Sequence, residues 1–312
     1  MNNKLLWSLI LLVLTVLVTA FESEAQSSDQ AYLIRSFDVH NPELIDVQTS
    51  GGFIRVLGSD RDDVRVEMYV RRGGRYLDDT DITLDNYDIE IEQVGNRIKA
   101  HANRESGSGW RFWRSENHVS ISFIVHTPRI TNVEGGTSGG SVTAENLEGR
   151  VRLRTSGGSM TLKQLTGLVE ARTSGGSISV ENSEGEIHAR TSGGGITVSN
   201  SEGILEFRTS GGSIQLNDVD GTVTARTSGG SINAKTNHVG DHLDLRTSGG
   251  SITVTVPGGT GYELDLSGTR VQAELQNFSG EVERNRVNGT IGNGGPVIRA
   301  RTSGGTVRVN YF

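Results

Sequence analysis

The chain has no cysteine in its 312 residues. That excludes disulfides, thiolate metal sites, a cysteine nucleophile and a lipidated N-terminal cysteine. Proline is scarce at 4 residues and aromatic side chains make up only 5%, so packing must rest on small and branched residues. Positive charge is not in excess either: a net charge of −7 argues against general nucleic-acid binding, which needs a basic footprint to neutralise phosphates, although a local basic stripe is compatible with it. Neither a Gly-x-x-x-x-Gly-Lys-Ser/Thr phosphate loop nor a His-Glu-x-x-His pair occurs, and no cofactor, metal or catalytic residue is expected. Long apolar runs are missing after the first, which extends from Leu5 to Ala20 behind Lys4 and precedes Ser23-Glu24-Ala25. Its length and the small-x-small site predict a signal peptide over residues 1–25, cleaved before Gln26, with an uncleaved anchor as the alternative. The mature chain is then expected to be exported without a transmembrane segment, to the periplasm, the cell surface or the medium.

What the chain does have is glycine, 42 residues of it, with a steady supply of Val, Ile, Thr and Ser, a strand-and-turn composition. Thr-Ser-Gly-Gly begins at Thr137, Thr155, Thr173, Thr191, Thr209 and Thr227, each 18 residues after the last, then at Thr247 after 20, with outlying copies at Thr49 and Thr302. A fixed period marks units that pack only on their neighbours. After each Gly pair come apolar residues in alternation, Val142, Met160, Ile178, Ile196, Ile214, Ile232 and Ile252 with Ala144, Leu162, Val180, Val198, Leu216, Ala234 and Val254 two residues later. A second pair of columns starts at Val151, Val169, Ile187, Leu205, Val223 and Leu243. The predicted fold is all-β, a parallel β-solenoid with 18-residue two-strand coils and less regular β coils at both ends. Its turns are expected to use Gly-Gly at positive φ. The chain divides into the signal peptide (1–25), an N-terminal β region or capping coils (26–134), the regular solenoid (135–256), and irregular C-terminal coils with a final strand (257–312).

Repeated Thr-Ser-Gly-Gly-Ser-Ile, the segment Gly261-Tyr262-Glu263-Leu264-Asp265-Leu266-Ser267 and the late Asn293-Gly294-Gly295-Pro296 resemble the bacterial putative-adhesin family of β-strand-repeat proteins, a domain of unknown function. The resemblance covers nearly all of the mature chain and implies a β-repeat fold, an exported location and an adhesin role.

Two stretches are candidate binding surfaces. The outward column Arg154, Arg172, Arg190, Arg208, Arg226 and Arg246 stacks like charges about 4.8 Å apart, and it reads either as a solvated ladder neutralised by Glu170, Glu206 and Asp244 or as a stripe that grips an anionic polysaccharide or lipid headgroup. Trp110, Arg111, Phe112 and Trp113 suit sugar stacking or a protein partner, or a loop packed over the solenoid. The opposite column of Thr143, Thr161, Ser179, Thr197, Gln215, Asn233 and Thr253 is a soluble sheet face of good β-formers. His238, Asp241, His242 and Asp244 crowd the one coil with two extra residues, where a widened turn accounts for them without metal. Gly136-Thr137-Ser138-Gly139-Gly140 matches the hydrolase elbow Gly-x-Ser-x-Gly only as a copy of the repeat. The functional expectation is a non-enzymatic exported envelope or surface protein, an adhesin binding polysaccharide or an envelope or surface protein by its solenoid faces. The alternatives are a β-helix carbohydrate-active enzyme, whose site would have to lie in the Trp loop or in residues 257–300, and a periplasmic ligand-binding or signalling module.

Overall fold

The computed structural model describes residues 31–39, 42–104 and 119–312. The signal-peptide segment lies outside the described residues. All regular structure among the described residues is β, with 23 strands joined in one hydrogen-bonded network, and no helix is long and apolar enough to cross a membrane.

The repeat explains the pairing. On one arm of each coil Val142 lies beside Met160, then Ile178, Ile196, Ile214, Ile232 and Ile252, always in parallel register. On the other arm Val151, Val169, Ile187, Leu205, Val223 and Leu243 stack the same way. Every one of these side chains is buried. A parallel ladder places like on like at about 4.8 Å, so one inward residue per column per coil builds a continuous apolar rod, and each Ile or Val removed from water stabilises it by about 1.5–3 kcal/mol.

The stack continues beyond the regular stretch in an order the chain does not follow. Strand Leu44–Thr49 pairs with Val133–Thr137, and Ile54–Ser59 pairs with the start of Val142–Thr155. The coil carrying Thr49 thus sits directly below the coil carrying Thr137. At the other end Val297–Thr302 lies on Ile232–Thr247, and Thr306–Tyr311 lies on Ile252–Val256, so the coil carrying Thr302 follows the coil carrying Thr247. All nine Thr-Ser-Gly-Gly turns are therefore consecutive in space. The intervening segments complete the ends, where Tyr87–Val94, Val64–Arg72, Phe278–Val282 and Arg286–Ile291 add antiparallel strands that blunt the open edges of the rod.

The glycine pair works differently from the expectation. Neither residue of any pair has positive φ. The second glycine is required by proximity: a Cβ on Gly158, Gly176, Gly194, Gly212, Gly230 or Gly250 would lie 1.8–2.1 Å from the equivalent carbonyl oxygen of the coil before. The same closeness explains the threonine. Thr191 Oγ1 donates to Gly176 O at 2.7 Å and accepts from Gly194 N at 3.4 Å, and the pattern repeats at Thr155, Thr173, Thr209, Thr227, Thr247 and Thr302. Each buried hydroxyl thus satisfies one group in its own coil and one in the coil stacked before it.

Positive φ is used at the other corner. Asn146, Gln164, Asn182, Asn200 and Asp218 have φ of 48–58°, and three residues later Gly149, Gly167, Gly185, Gly203 and Gly221 have φ of 106–143°. Asn and Asp tolerate the left-handed region better than most residues. Between these two bends one residue faces inward, Leu147, Leu165, Ser183, Ser201 or Val219. The two expected arms are present, and this short third wall closes the cross-section between them. Ser183 and Ser201 are fitted to it because each hydroxyl donates to a carbonyl two residues back and accepts a backbone N–H from the previous coil.

Candidate binding face

The outward surface of the second arm carries two parallel columns of charge, because alternation places residues 152 and 154 outward when 151 and 153 are inward. The first column runs, coil by coil, Lys99, Asp46, Glu134, Arg152, Glu170, His188, Glu206, Thr224, Asp244, Arg299 and Asp265. The signs nearly alternate, and several neighbours are bonded. Arg152 reaches Glu134 at 3.0 Å and Glu170 at 3.5 Å; the two ring nitrogens of His188 meet Glu186 at 2.8 Å and Glu206 at 3.1 Å; Arg299 meets Asp265 at 3.0 Å.

The second column holds the arginines. All six predicted members, Arg154 to Arg246, stand in one register line, and Arg301 extends it. Arg301 belongs to the outlying Arg-Thr-Ser-Gly-Gly copy, so aligning that copy with the others would have found it. Most of these guanidiniums turn sideways onto the acidic column. Arg172 approaches Glu170 at 3.8 Å, Arg208 pairs with Glu206, Arg226 and Arg246 share Asp244 at 3.2 and 3.0 Å, and Arg301 meets Asp265 at 2.5 Å. Burial opposes ionisation of Glu206, but the hydrogen bond and charge of Arg208, followed by His188, outweigh it and hold the carboxyl below its ordinary value. Asp265 behaves alike: burial raises it, and hydrogen bonds from Arg301 and Arg299 bring it below its ordinary value.

Arg154 and Arg190 differ. Both are exposed, and among the described residues neither has a carboxylate within 4.0 Å. Arg190 lines an open groove of about 330 Å³ with Arg172, Arg208, Glu170, His188 and Glu206. Arg154 borders two further grooves, beside Gly136 and Gln48, where the column has no charge.

The predicted Trp110, Arg111, Phe112 and Trp113 surface lies outside the described residues. The strands that flank it, Arg97–Arg104 and Ser120–Pro128, stack on Leu44–Thr49 and Ile54–Ser59. The extra residues around His238–His242 are absorbed by register shifts against the preceding coil, and no group of three metal-ligating side chains forms among the described residues.

Residues 45–310 match the model of the Toastrack DUF4097 family. The chain belongs to that family. The match bears out the family resemblance carried by the Thr-Ser-Gly-Gly repeats and the β-solenoid expected from them. No curated protein matches this Toastrack chain in sequence. Solved structures similar to it include a "putative adhesin" from Bacteroides fragilis, 13% identical, covering 90% of this chain and 96% of its own length at a TM-score of 0.40. A "putative lipid binding protein" from Parabacteroides distasonis is 14% identical, with coverages of 89% and 96% and a TM-score of 0.46. A "putative adhesin" from Parabacteroides merdae is 12% identical, with coverages of 89% and 95% and a TM-score of 0.48. Likeness at this level says nothing about what this chain binds.

Proposed function

We propose that this Toastrack chain is an exported, non-enzymatic protein of the cell surface or envelope that binds an extended anionic polysaccharide along its arginine face. The observation that carries the reading is the pair of guanidiniums, Arg154 and Arg190, that have no carboxylate within 4.0 Å among the described residues and stand on one straight column. Two rungs of about 4.8 Å separate them by about 10 Å, a spacing that suits a polymer with an acidic group on alternate sugars. Between them Arg172 is held only loosely, at 3.8 Å from Glu170, and is placed to take a further contact. The uniform coils support binding over catalysis, since carboxylates on this face are engaged by neighbouring cations. The leader-like composition of residues 1–25 supports export.

The test is binding of the mature chain to hyaluronan, which carries a carboxylate on alternate sugars, with dextran as the uncharged control. Tight, salt-sensitive binding to the acidic polymer is expected, as screening at high ionic strength weakens exposed charge contacts. Substituting Arg154→Ala and Arg190→Ala together should weaken it on the order of tenfold or more, since hydrogen bonds to charged groups contribute about 1.5–3 kcal/mol each. Equal binding by the double variant refutes the proposal. Protease treatment of intact cells tests location: loss of the chain while a periplasmic control is protected places it on the surface.

A further inference from the structure

The irregular C-terminal end contains a second kind of surface. Three loops that break the repeat converge there: the turn after Pro257, the segment following Arg270–Ala273, and the turn after Ile291. With Tyr311 and Phe312 they enclose a cleft of about 530 Å³, within the range of pockets that take small ligands.

Its lining is rich in uncharged hydrogen-bonding groups. Thr260, Gln276, Asn277 and Asn293 contribute a hydroxyl and three amides, and Glu274 is the single carboxylate side chain among the lining residues. Gly259, Asn277 and Gly292 have φ of 74°, 51° and 58° here, the left-handed backbone that also shapes one corner of the regular coils. Phe312, a residue 59% exposed, lines this cleft, and Lys235 Nζ lies 5.7 Å from its ring centroid. Tyr311 stacks on Tyr262 at 6.5 Å. Its hydroxyl is shut off from solvent with no hydrogen-bond partner among the described residues, whereas that of Tyr262 donates to Pro257 O at 3.1 Å. Burial, with Tyr262 and Glu274 nearby, pushes Tyr311 up to about 12, so the phenol remains a donor at neutral pH. An unpaired buried donor beside a cleft is a cost that native folds seldom carry without a reason.

We infer that this cleft binds a neutral saccharide unit, with Phe312 as the stacking platform and Gln276, Asn277, Asn293 and Glu274 as the hydroxyl-binding groups. An exposed aromatic ring accepts the apolar face of a sugar, and amides with one carboxylate supply donors and acceptors for its hydroxyls. A single acidic side chain disfavours anionic ligands here, so the cleft differs in chemistry from the arginine face and is independent of the function proposed for it.

The experiment is titration of the full mature chain with maltotriose, cellotriose and chitotriose, followed by saturation-transfer NMR and calorimetry. Binding of at least one is expected, with Phe312→Ala and Gln276→Ala each reducing affinity tenfold or more while the thermal melt is unchanged. Arg154→Ala with Arg190→Ala should leave this binding intact, which separates the cleft from the face. Absence of binding to all three at millimolar concentration overturns the inference, as does binding that both cleft variants retain. Binding of tetramethylammonium without any of the sugars also overturns it and reassigns the cleft to a cation.

Discussion

Substituting alanine at each of two adjacent glycines in one turn tests the close-approach account of the repeat. A Cβ on Gly194 would stand 2.1 Å from Gly176 O and 2.6 Å from Ser177 N, while a Cβ on Gly193 would be 3.4 Å from Gly175 O. Ordinary contact is reached at Gly193 without movement. At Gly194 the coils must separate by more than an ångström at the point where Thr191 Oγ1 bonds to Gly176 O and Gly194 N bonds to Thr191 Oγ1. Losing two hydrogen bonds at about 1 kcal/mol each and stranding a buried carbonyl gives a cost of about 3–4 kcal/mol for Gly194→Ala. Gly193→Ala should remain within about 1 kcal/mol of the parent, or gain slightly, because alanine restricts the unfolded chain. Thermal melts followed by circular dichroism should place Gly194→Ala roughly 6–16 °C below the parent, at about 2–4 °C per kcal/mol. The two variants share composition and chain position, so each controls for the other. Equal melting temperatures would refute the argument that coil proximity, rather than turn conformation, selects the second glycine.

Other predictions follow from the same architecture. Ile196→Asp places an unpaired carboxylate between Ile178 and Ile214, at a position 1% exposed, and should cost more than about 4 kcal/mol; an unchanged melt would refute the inward assignment. Thr191→Val keeps shape but strands Gly176 O and Gly194 N, at about 1–3 kcal/mol, and denaturant midpoints against Thr191→Ser, which keeps the hydroxyl, would isolate that contribution. Asp265 and Glu206 have folded pKa values below their ordinary 3.8 and 4.5. Their contribution is therefore fully present above those ordinary values and is lost as pH falls through the lower folded ones. Melting temperature should hold from neutral pH to about 5 and then decline, and Asp265→Asn should show a smaller acid decline than the parent. An identical pH profile for Asp265→Asn would show that the Arg299 and Arg301 contacts do not stabilise the fold.

The coil length, the four main inward columns and the arginine line were legible in the sequence because a parallel stack copies one environment every 18 residues, and like residues then recur at one spacing. Register needed no long-range inference where the interval was constant. The third inward wall was not legible, since its members Leu147, Leu165, Ser183, Ser201 and Val219 mix apolar and polar residues, and the serines are buried only because the corner supplies their hydrogen bonds. The left-handed column at Asn146, Gln164, Asn182, Asn200 and Asp218 was equally hidden, as nothing local distinguishes it from outward polar residues.

By itself the sequence determined the repeat, its two arms and the four main columns of residues that face in, because burial of a periodic apolar set leaves a strand few choices of register. Only the tertiary structure decided how the outlying copies at Thr49 and Thr302 join the stack, since each reaches its neighbour across a long segment that the period cannot bridge. It also decided which arginines of the column find their carboxylate in another coil. Arg172, Arg208 and Arg246 pair with the carboxylate two residues back in their own coil, a position that Arg152 and His188 fill before Arg154 and Arg190, whereas Arg226 and Arg301 reach Asp244 and Asp265 of the adjacent coil, which only the stacking brings beside them.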